Sequence, residues 1–392
     1  MDEQGVSGKR NEIGVAVDLG STTIAVCCMD MTSGNEIASF SFPNPQVAFG
    51  ADVITRIRHC IEDKDLLCQM GDMVQIALAE HLREQLGTSA LQVCQIVYSG
   101  NTTMLHILRG MSVEGLAAAP FTPVTLEYEE QEEELFSALP DEQLKNMQNM
   151  KARTGEHKVT VLYPPGFSAF VGADILTGAA YLKMGQSKTY DLLVDLGTNG
   201  ELLLLNDTCG YAASTACGPV FDHAVTGAVY GSESIKAVAN CVKRGLIDSA
   251  GTIKEPFFEK GIEMDKGFVI RQQNVRNFQL AKGAIYAGIK CLLNKAGITT
   301  SDIGNVYISG GLGFYMDIRD AYTVKMLPED FRDKVKVSGN TSLEGAKKLL
   351  MAENREKKEL LAYYRDIRKR TESFELADLE GFQDIYIQAL DF

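Results

Sequence analysis

Apolar residues in this chain come in short unbroken runs separated by longer stretches with three-to-four spacing, the alternation expected of strands followed by helices. The stretch Gly14 to Met29, GVAVDLGSTTIAVCCM, reads as a buried strand, a tight turn rich in hydroxyls and a second strand, with Asp18 closing the first. The chain repeats the unit at Leu192 to Leu205, LLVDLGTNGELLLL, where Asp195-Leu-Gly197-Thr198-Asn199-Gly200 lies between two apolar runs. More follows in parallel. Gln95-Ile-Val-Tyr-Ser99-Gly100-Asn101 resembles Val306-Tyr-Ile-Ser309-Gly310-Gly311, and Val159 to Leu182 has the strand-turn-helix outline of Val335 to Met351. Hairpin, strand-glycine-helix and strand-turn-helix therefore occur twice in the same order, which predicts two similar α/β halves facing each other across a cleft.

Between these landmarks, Glu36 to Phe42 reads as a third strand, and Ile54 to Arg58 and Leu66 to Leu86 as amphipathic helices packed on a sheet. Asn44 to Asp52 is an irregular loop, either a cleft edge or a plain connection, leading into a helix capped by Asp52. Gly172, Ala173, Gly178, Ala179 and Ala180 give one helix a small-residue face suited to a close crossing between the halves. Glu127 to Glu134 holds six acidic residues in eight and is expected to be a solvated helical excursion inside an acidic insertion near residues 124–158. His106, on an apolar stretch, reads as a packing histidine. A strong helix covers Arg276 to Leu293, a highly charged one Glu353 to Arg370, and a short strand and helix close the second half. The expected units are residues 12–187 and 188–392.

Composition narrows the function classes. With 392 residues, 45% hydrophobic, the chain can bury a large core, and its net charge of −14 shows no basic stripe for nucleic acid. It contains no run of about 18 apolar residues and no signal-peptide start, so neither a membrane nor export is expected and the cytoplasm is the expected compartment. The nine cysteines are scattered without Cys-x₂-Cys spacing, which suits reduced buried thiols and predicts no iron–sulfur cluster on this chain. Five histidines, none paired at i,i+4, argue against zinc.

The chemistry suggested by the repeats is phosphate binding. Each hairpin turn aims backbone N–H groups and hydroxyls at one spot, beside a carboxylate able to hold hydrated Mg²⁺. Asp174 either orients water in the cleft or simply stabilises its helix N-terminus. Ser309-Gly310-Gly311-Leu312-Gly313, after a strand, lets backbone approach a flat or anionic group, and Gln279 and Lys282, one turn apart on a helix, are placed to reach a nucleoside there.

The order of Asp18-Leu-Gly-Ser-Thr-Thr, the Pro165 to Asp174 turn and helix, Asp195-Leu-Gly-Thr-Asn-Gly and Ser309-Gly-Gly-Leu-Gly resembles the phosphate, connection and adenosine segments of the actin-like ATPase superfamily. Closer still, Asn44-Pro-Gln-Val-Ala-Phe-Gly-Ala-Asp-Val-Ile-Thr-Arg-Ile, Ser99-Gly-Asn-Thr-Thr-Met-Leu-His, Ala119-Pro-Phe-Thr-Pro123, Ala213-Ser-Thr-Ala-Cys-Gly-Pro-Val-Phe, Gln279-Leu-Ala-Lys-Gly-Ala-Ile and Ser338-Gly-Asn-Thr-Ser-Leu-Glu-Gly-Ala are similar to the ATPase domain of the reductive activators of corrinoid proteins. The resemblance implies two duplicated RNase H-like domains with ATP and Mg²⁺ between them. Asp18 and Asp195 would hold the metal and, with Asp174, act catalytically. Gly20, Ser21, Thr22, Thr23, Gly197, Thr198, Asn199 and Gly200 would surround the phosphates; Ser309, Gly310, Gly311 and Gly313 would back the nucleoside, with Gln279 and Lys282 flanking it.

In that family ATP drives a low-potential electron uphill, returning cob(II)alamin on a corrinoid methyl carrier to cob(I)alamin. The implied partners are a corrinoid protein of a methyltransferase system and, because no cluster spacing is present, a separate electron donor; a homodimer is left open. Asp222-His223 stands where the family more often has Glu-Gly. The competing readings are a small-molecule kinase of the same superfamily, with Asp174 as base, and a non-catalytic nucleotide sensor or scaffold.

Overall fold

The structure, a computed structural model, describes residues 12–134, 158–197, 199–215, 231–264, 269–311 and 316–392. Strands β1 (Ile13–Leu19), β2 (Thr23–Asp30) and β3 (Glu36–Pro43) form an antiparallel meander. Helices α1 (Val53–Glu62) and α2 (Lys64–Leu86) follow, then β4 (Val93–Gly100), parallel to β1, and α3 (Thr102–Leu108). After β5 (Glu129–Glu133), β6 (Val159–Tyr163) runs parallel to β4 and leads to α4 (Ala173–Tyr181). The sheet order is β3-β2-β1-β4-β6-β5.

The second half repeats this plan. Strands β7 (Tyr190–Leu196), β8 (Gly200–Leu205) and β9 (Gly210–Thr215) are again an antiparallel meander. Helix α5 (Gly231–Lys243), the two-stranded ribbon β10 (Ile262–Glu263) and β11 (Val269–Ile270), and the long helix α6 (Gln272–Ala296) follow. Then β12 (Ile303–Ser309) joins parallel to β7, and after α7 (Ile318–Thr323) β13 (Val335–Val337) joins parallel to β12. Helices α8 (Thr341–Met351) and α9 (Asn354–Arg370), strand β14 (Thr371–Ser373) and α10 (Phe382–Gln388) complete the chain, giving the order β13-β12-β7-β8-β9-β14. A meander followed by parallel strands on the same side, occurring twice, is a duplicated RNase H-like architecture.

Strand alternation explains how three cores arise from two sheets. Val15, Val17 and Leu19 face a core built with α1 to α3, whereas Ala16 of the same strand faces the opposite way. Leu192, Val194 and Leu196 face the α6 side, while Leu193 turns into the same layer as Ala16. That shared layer holds Ile175, Leu176 and Ala179 of α4 with Ala346, Leu349 and Leu350 of α8, so two helices cross between the sheets. The small residues permit the contact: a Cβ on Gly345 would fall 2.2 Å from the Thr177 carbonyl oxygen, and one on Gly178 would fall 2.7 Å from Thr341 Oγ1.

The acidic stretch departs from the solvated helix expected of it. Glu129–Glu133 is an edge strand, antiparallel to β6. Its acids find cations that the local sequence does not supply: Arg109 pairs with Glu129, Lys357 with Glu130 at 2.7 Å, and Arg368 bridges both oxygens of Glu127 at 3.0 and 3.1 Å. Neutralised this way, the strand lies beside the charged helix α9. The remainder of the expected insertion, 135–157, lies outside the described residues. His106 is buried and satisfied, with Nδ1 2.7 Å from the Thr102 carbonyl and Nε2 accepting from Val124 N–H at 3.2 Å.

Candidate functional site

Each hairpin ends its first strand with a part-buried aspartate. Asp18 closes β1 and accepts from Asn340 Nδ2 and Ser342 Oγ, both at 2.7 Å. These donors belong to the cap and first turn of α8 in the opposite half, so the halves are joined by hydrogen bonds at the carboxylate itself. Ser342 Oγ also lies 2.9 Å from Ser99 Oγ, which is 2.8 Å from Thr177 Oγ1 on α4. Asp195 closes β7 and accepts from Ser309 Oγ at the end of β12, 2.5 Å away.

Four carboxylates share one electrostatic neighbourhood. Asp174, in the first turn of α4, is pushed up to about 8 by burial and by Asp195 and Asp18. Burial, then Asp18, raises Asp195 to about 6, with the Ser309 bond opposing. Burial raises Asp18 too, against the bonds from Ser342 and Asn340. Glu201, directly across the second hairpin from Asp195, is raised well above its ordinary value by burial, Asp174, Asp195 and Asp18. Two repeats 177 residues apart thus bring their acids to one place, the mutual repulsion recording their proximity.

The remaining sequence candidates fall as follows. Ser21 is buried, Thr22 part-buried and Thr23 exposed around the first turn, where a Cβ on Gly20 would meet the Thr23 carbonyl at 2.5 Å. Gly197 N–H donates to the Asn199 carbonyl at 3.0 Å, closing the second turn, and Gly200 pairs with Leu196. Gly310 has φ +85°, and a Cβ there would lie 2.6 Å from Asp195 Oδ1, so the glycine turn passes directly over the second carboxylate. Gly311 has open space beside it. Thr198, Leu312 and Gly313 lie outside the described residues, as do Gly218, Pro219, Asp222 and His223.

The polar ends of Gln279 and Lys282 rest on backbone carbonyls. Gln279 Nε2 donates to the carbonyls of Ala250 and Leu390 at 3.1 and 2.8 Å, and Lys282 Nζ donates to the Asp391 carbonyl at 2.5 Å. Burial, with Lys325 nearby, lowers Lys282 to about 7. Sequence reasoning missed Glu201, Asn340 and Ser342. The signal for Glu201 was a lone carboxylate inside an apolar strand; that for the other two was a polar Asn-Thr-Ser cap opening a helix otherwise matched only in outline.

Comparison with known proteins decides the family. A profile described as "RACo middle region" matches residues 13–187, and one described as "C-terminal domain of RACo the ASKHA domain" matches residues 222–392. The chain belongs to the RACo family. This RACo-family chain is similar to the corrinoid activation enzyme RamQ of Eubacterium limosum, 29% identical over 437 residues that cover 95% of this chain and 69% of that protein. It is 26% identical over 249 residues to the [Co(II) methylated amine-specific corrinoid protein] reductase of Methanosarcina barkeri, covering 50% of this chain and 45% of the reductase. A solved structure titled "Reductive activator for corrinoid,iron-sulfur protein" superposes with a TM-score of 0.80 and 25% identity, covering 98% of this chain and 67% of that one. The chain therefore spans about two thirds of the first and third of these proteins and under half of the second.

An ASKHA domain, the actin-like ATPase type, implies nucleotide binding by this RACo-family chain. The donor set fits a nucleotide with its divalent ion. Burial raises all four acids, repulsion from neighbouring acids adds to it at Asp174, Asp195 and Glu201, and no described lysine or arginine forms an ion pair with any of them, so the site favours a cation. No described trio of acid, histidine or cysteine side chains is spaced to ligate one ion directly. Mg²⁺ needs none, because it keeps waters and takes one or two carboxylates with phosphate oxygens. Among the described residues no helix is long and apolar enough to cross a membrane.

Proposed function

We propose that this chain binds Mg·ATP between its two halves and couples ATP binding and hydrolysis to the reductive reactivation of a corrinoid protein of a methyltransferase system. Cob(II)alamin on that partner gains one electron, from a separate low-potential donor, and becomes cob(I)alamin. The observation that carries this reading is the convergence of Asp18, Asp195, Asp174 and Glu201, with Asp18 held by α8 from the other half. The activities for which the chain's relatives are named support the corrinoid chemistry.

Bound Mg²⁺ supplies charge neutralisation for phosphoryl transfer to water. The chain's own residues do the rest. Asp18 and Asp195, fixed by Asn340, Ser342 and Ser309, would hold the metal beside the phosphates. Asp174, beside Asp18 and Asp195 and with its carboxyl pushed up to about 8, would orient the attacking water and, in its ionised form, take the proton. Ser21, Thr22, Thr23, Thr198 and Asn199 present donors to the phosphates, and the Gly310 turn backs the nucleoside. Because Asp18 spans the halves through α8, a change of phosphate charge at the hairpins alters the bonds that join them.

The test is phosphate release with and without a cob(II)alamin-loaded corrinoid protein and a low-potential reductant, the cobalamin absorbance being followed in parallel. Partner-stimulated release with appearance of cob(I)alamin is the expected result. A phosphorylated small molecule would instead assign a kinase, and nucleotide binding without turnover in every condition would assign a sensor.

A further inference from the structure

Behind the first phosphate hairpin lies a cation that the mechanism above does not use. Arg56, on α1, is fully enclosed, with 0% of its surface exposed. Its Nη2 donates to the Ser21 carbonyl at 2.5 Å and its Nε to the Gly50 carbonyl at 2.9 Å. Nη1 reaches Gln46 Oε1 at 3.4 Å and lies 3.1 Å from Met104 Sδ. Every partner is neutral. Asp52, the acid that acts on Arg56, accepts instead from Thr55 N–H and Oγ1 at 2.9 and 2.8 Å. Burial lowers the guanidinium to about 10, so it remains charged at neutral pH.

A buried cation bonded only to neutral groups is an expensive arrangement, and arginines enclosed in protein are ordinarily paired with carboxylates. The location suggests what it serves. Asn44, 1% exposed, donates from Nδ2 to the Gly20 carbonyl at 2.8 Å, and its side-chain oxygen accepts from Gln46 N–H at 2.9 Å. Two successive carbonyls of the hairpin turn, Gly20 and Ser21, are therefore gripped from one side by Asn44 and Arg56. In a trans peptide the carbonyl and the following N–H point in opposite directions, so this grip sets the orientation of both peptide units. A turn whose carbonyls are drawn to one side presents its N–H dipoles to the other, the arrangement that receives an anion.

We propose that Arg56 is the positioning residue of the first phosphate turn, holding the Ser21 carbonyl away from the triphosphate and supplying a positive charge that the bound phosphates neutralise. The inference rests on the nucleotide reading above and deepens it. An arginine that merely fills a loop would change stability when replaced, and would change affinity for every adenine nucleotide equally. One that serves the phosphates makes its replacement felt more strongly as phosphates are added.

The experiment is calorimetric titration of Mg·ATP, Mg·ADP and AMP into the intact chain, its Arg56→Gln variant and its Arg56→Lys variant. For Arg56→Gln the dissociation constant is expected to rise about tenfold or more for Mg·ATP, less for Mg·ADP and under about threefold for AMP, in keeping with the strength of a charge-assisted contact. Arg56→Lys, which keeps the charge and loses the fork, is expected to recover part of the loss with Mg·ATP. Equal losses for all three nucleotides, or an unchanged Mg·ATP affinity, overturn the proposal. If Arg56→Gln does not fold, Arg56→Lys decides by the same criterion: loss growing with phosphate number supports the proposal, uniform or absent loss overturns it. A parent chain that binds no Mg·ATP overturns the nucleotide reading and this inference together, whereas a parent that binds it while the variants show a flat profile overturns the inference alone.

Discussion

The crossing of α4 and α8 sets up the most direct test of how the two halves are joined. In Gly345→Ala the new Cβ would lie 2.2 Å from the Thr177 carbonyl oxygen, 2.4 Å from its carbon and 2.7 Å from Thr177 Cβ. Two of these atoms are backbone in a buried helix and cannot rotate aside, so the helices must separate by about 1 Å to restore ordinary contact. Overpacking of this kind costs about 1–3 kcal/mol, and the better helix propensity of alanine returns about 1 kcal/mol. A net loss of up to about 2 kcal/mol is expected, read as a lower urea midpoint at unchanged slope. The same displacement draws Asn340 and Ser342 off Asp18, so affinity for Mg·ATP falls alongside stability. A variant with the parent's midpoint and the parent's affinity would show that the crossing yields freely and that the reasoning is wrong.

Three further outcomes are expected. Because Asp174 is raised to about 8, the native state keeps its proton where the unfolded chain has lost it, so stability of the nucleotide-free protein falls as pH rises from near 4 to near 8. Urea midpoints across that range should flatten in Asp174→Asn; an unaltered slope contradicts the shift. Lys282, lowered to about 7, works in the opposite sense: the unfolded chain binds the extra proton, so stability rises between about 7 and 10.5, and Lys282→Met should abolish that rise. Asp195→Asn should lower ATP turnover by about a hundredfold or more while Mg·ATP still binds, as for loss of a group that acts chiefly on the transition state; turnover equal to the parent's would remove Asp195 from the mechanism.

The duplicated architecture was legible because its signals are local. A strand ending in Asp-Leu-Gly and a hydroxyl turn announces itself within a dozen residues, and its recurrence at Asp195 fixes the symmetry without any long-range information. What the sequence concealed depends on partners far away. Glu129–Glu133 looked like a solvated helix because its acids have no cations nearby in sequence, yet Lys357 and Arg368, 227 and 241 residues from Glu130 and Glu127, let it lie flat as a strand. Asn340 and Ser342 reach Asp18 across 322 and 324 residues, and no local pattern reports such a meeting. Glu201 was visible as a charge among leucines, but only its register opposite Asp195 shows that it belongs to the cluster of acids. Gln279 and Lys282 stand one turn apart as read, and the structure has their polar ends on the carbonyls of residues 250, 390 and 391.

At Gly345 the backbone of α8 lies against the Thr177 carbonyl of α4, with no room between them even for a methyl group. A contact this close resists being pressed together more than it resists rolling. Tightening of the cleft by a guest is then expected to show as rotation of one sheet against the other, with the rim strands, farthest from the axle, travelling most. β5 and its ionic clasp on α9 lie on that rim, so the outer edge of the molecule is where the guest's arrival would be felt from outside.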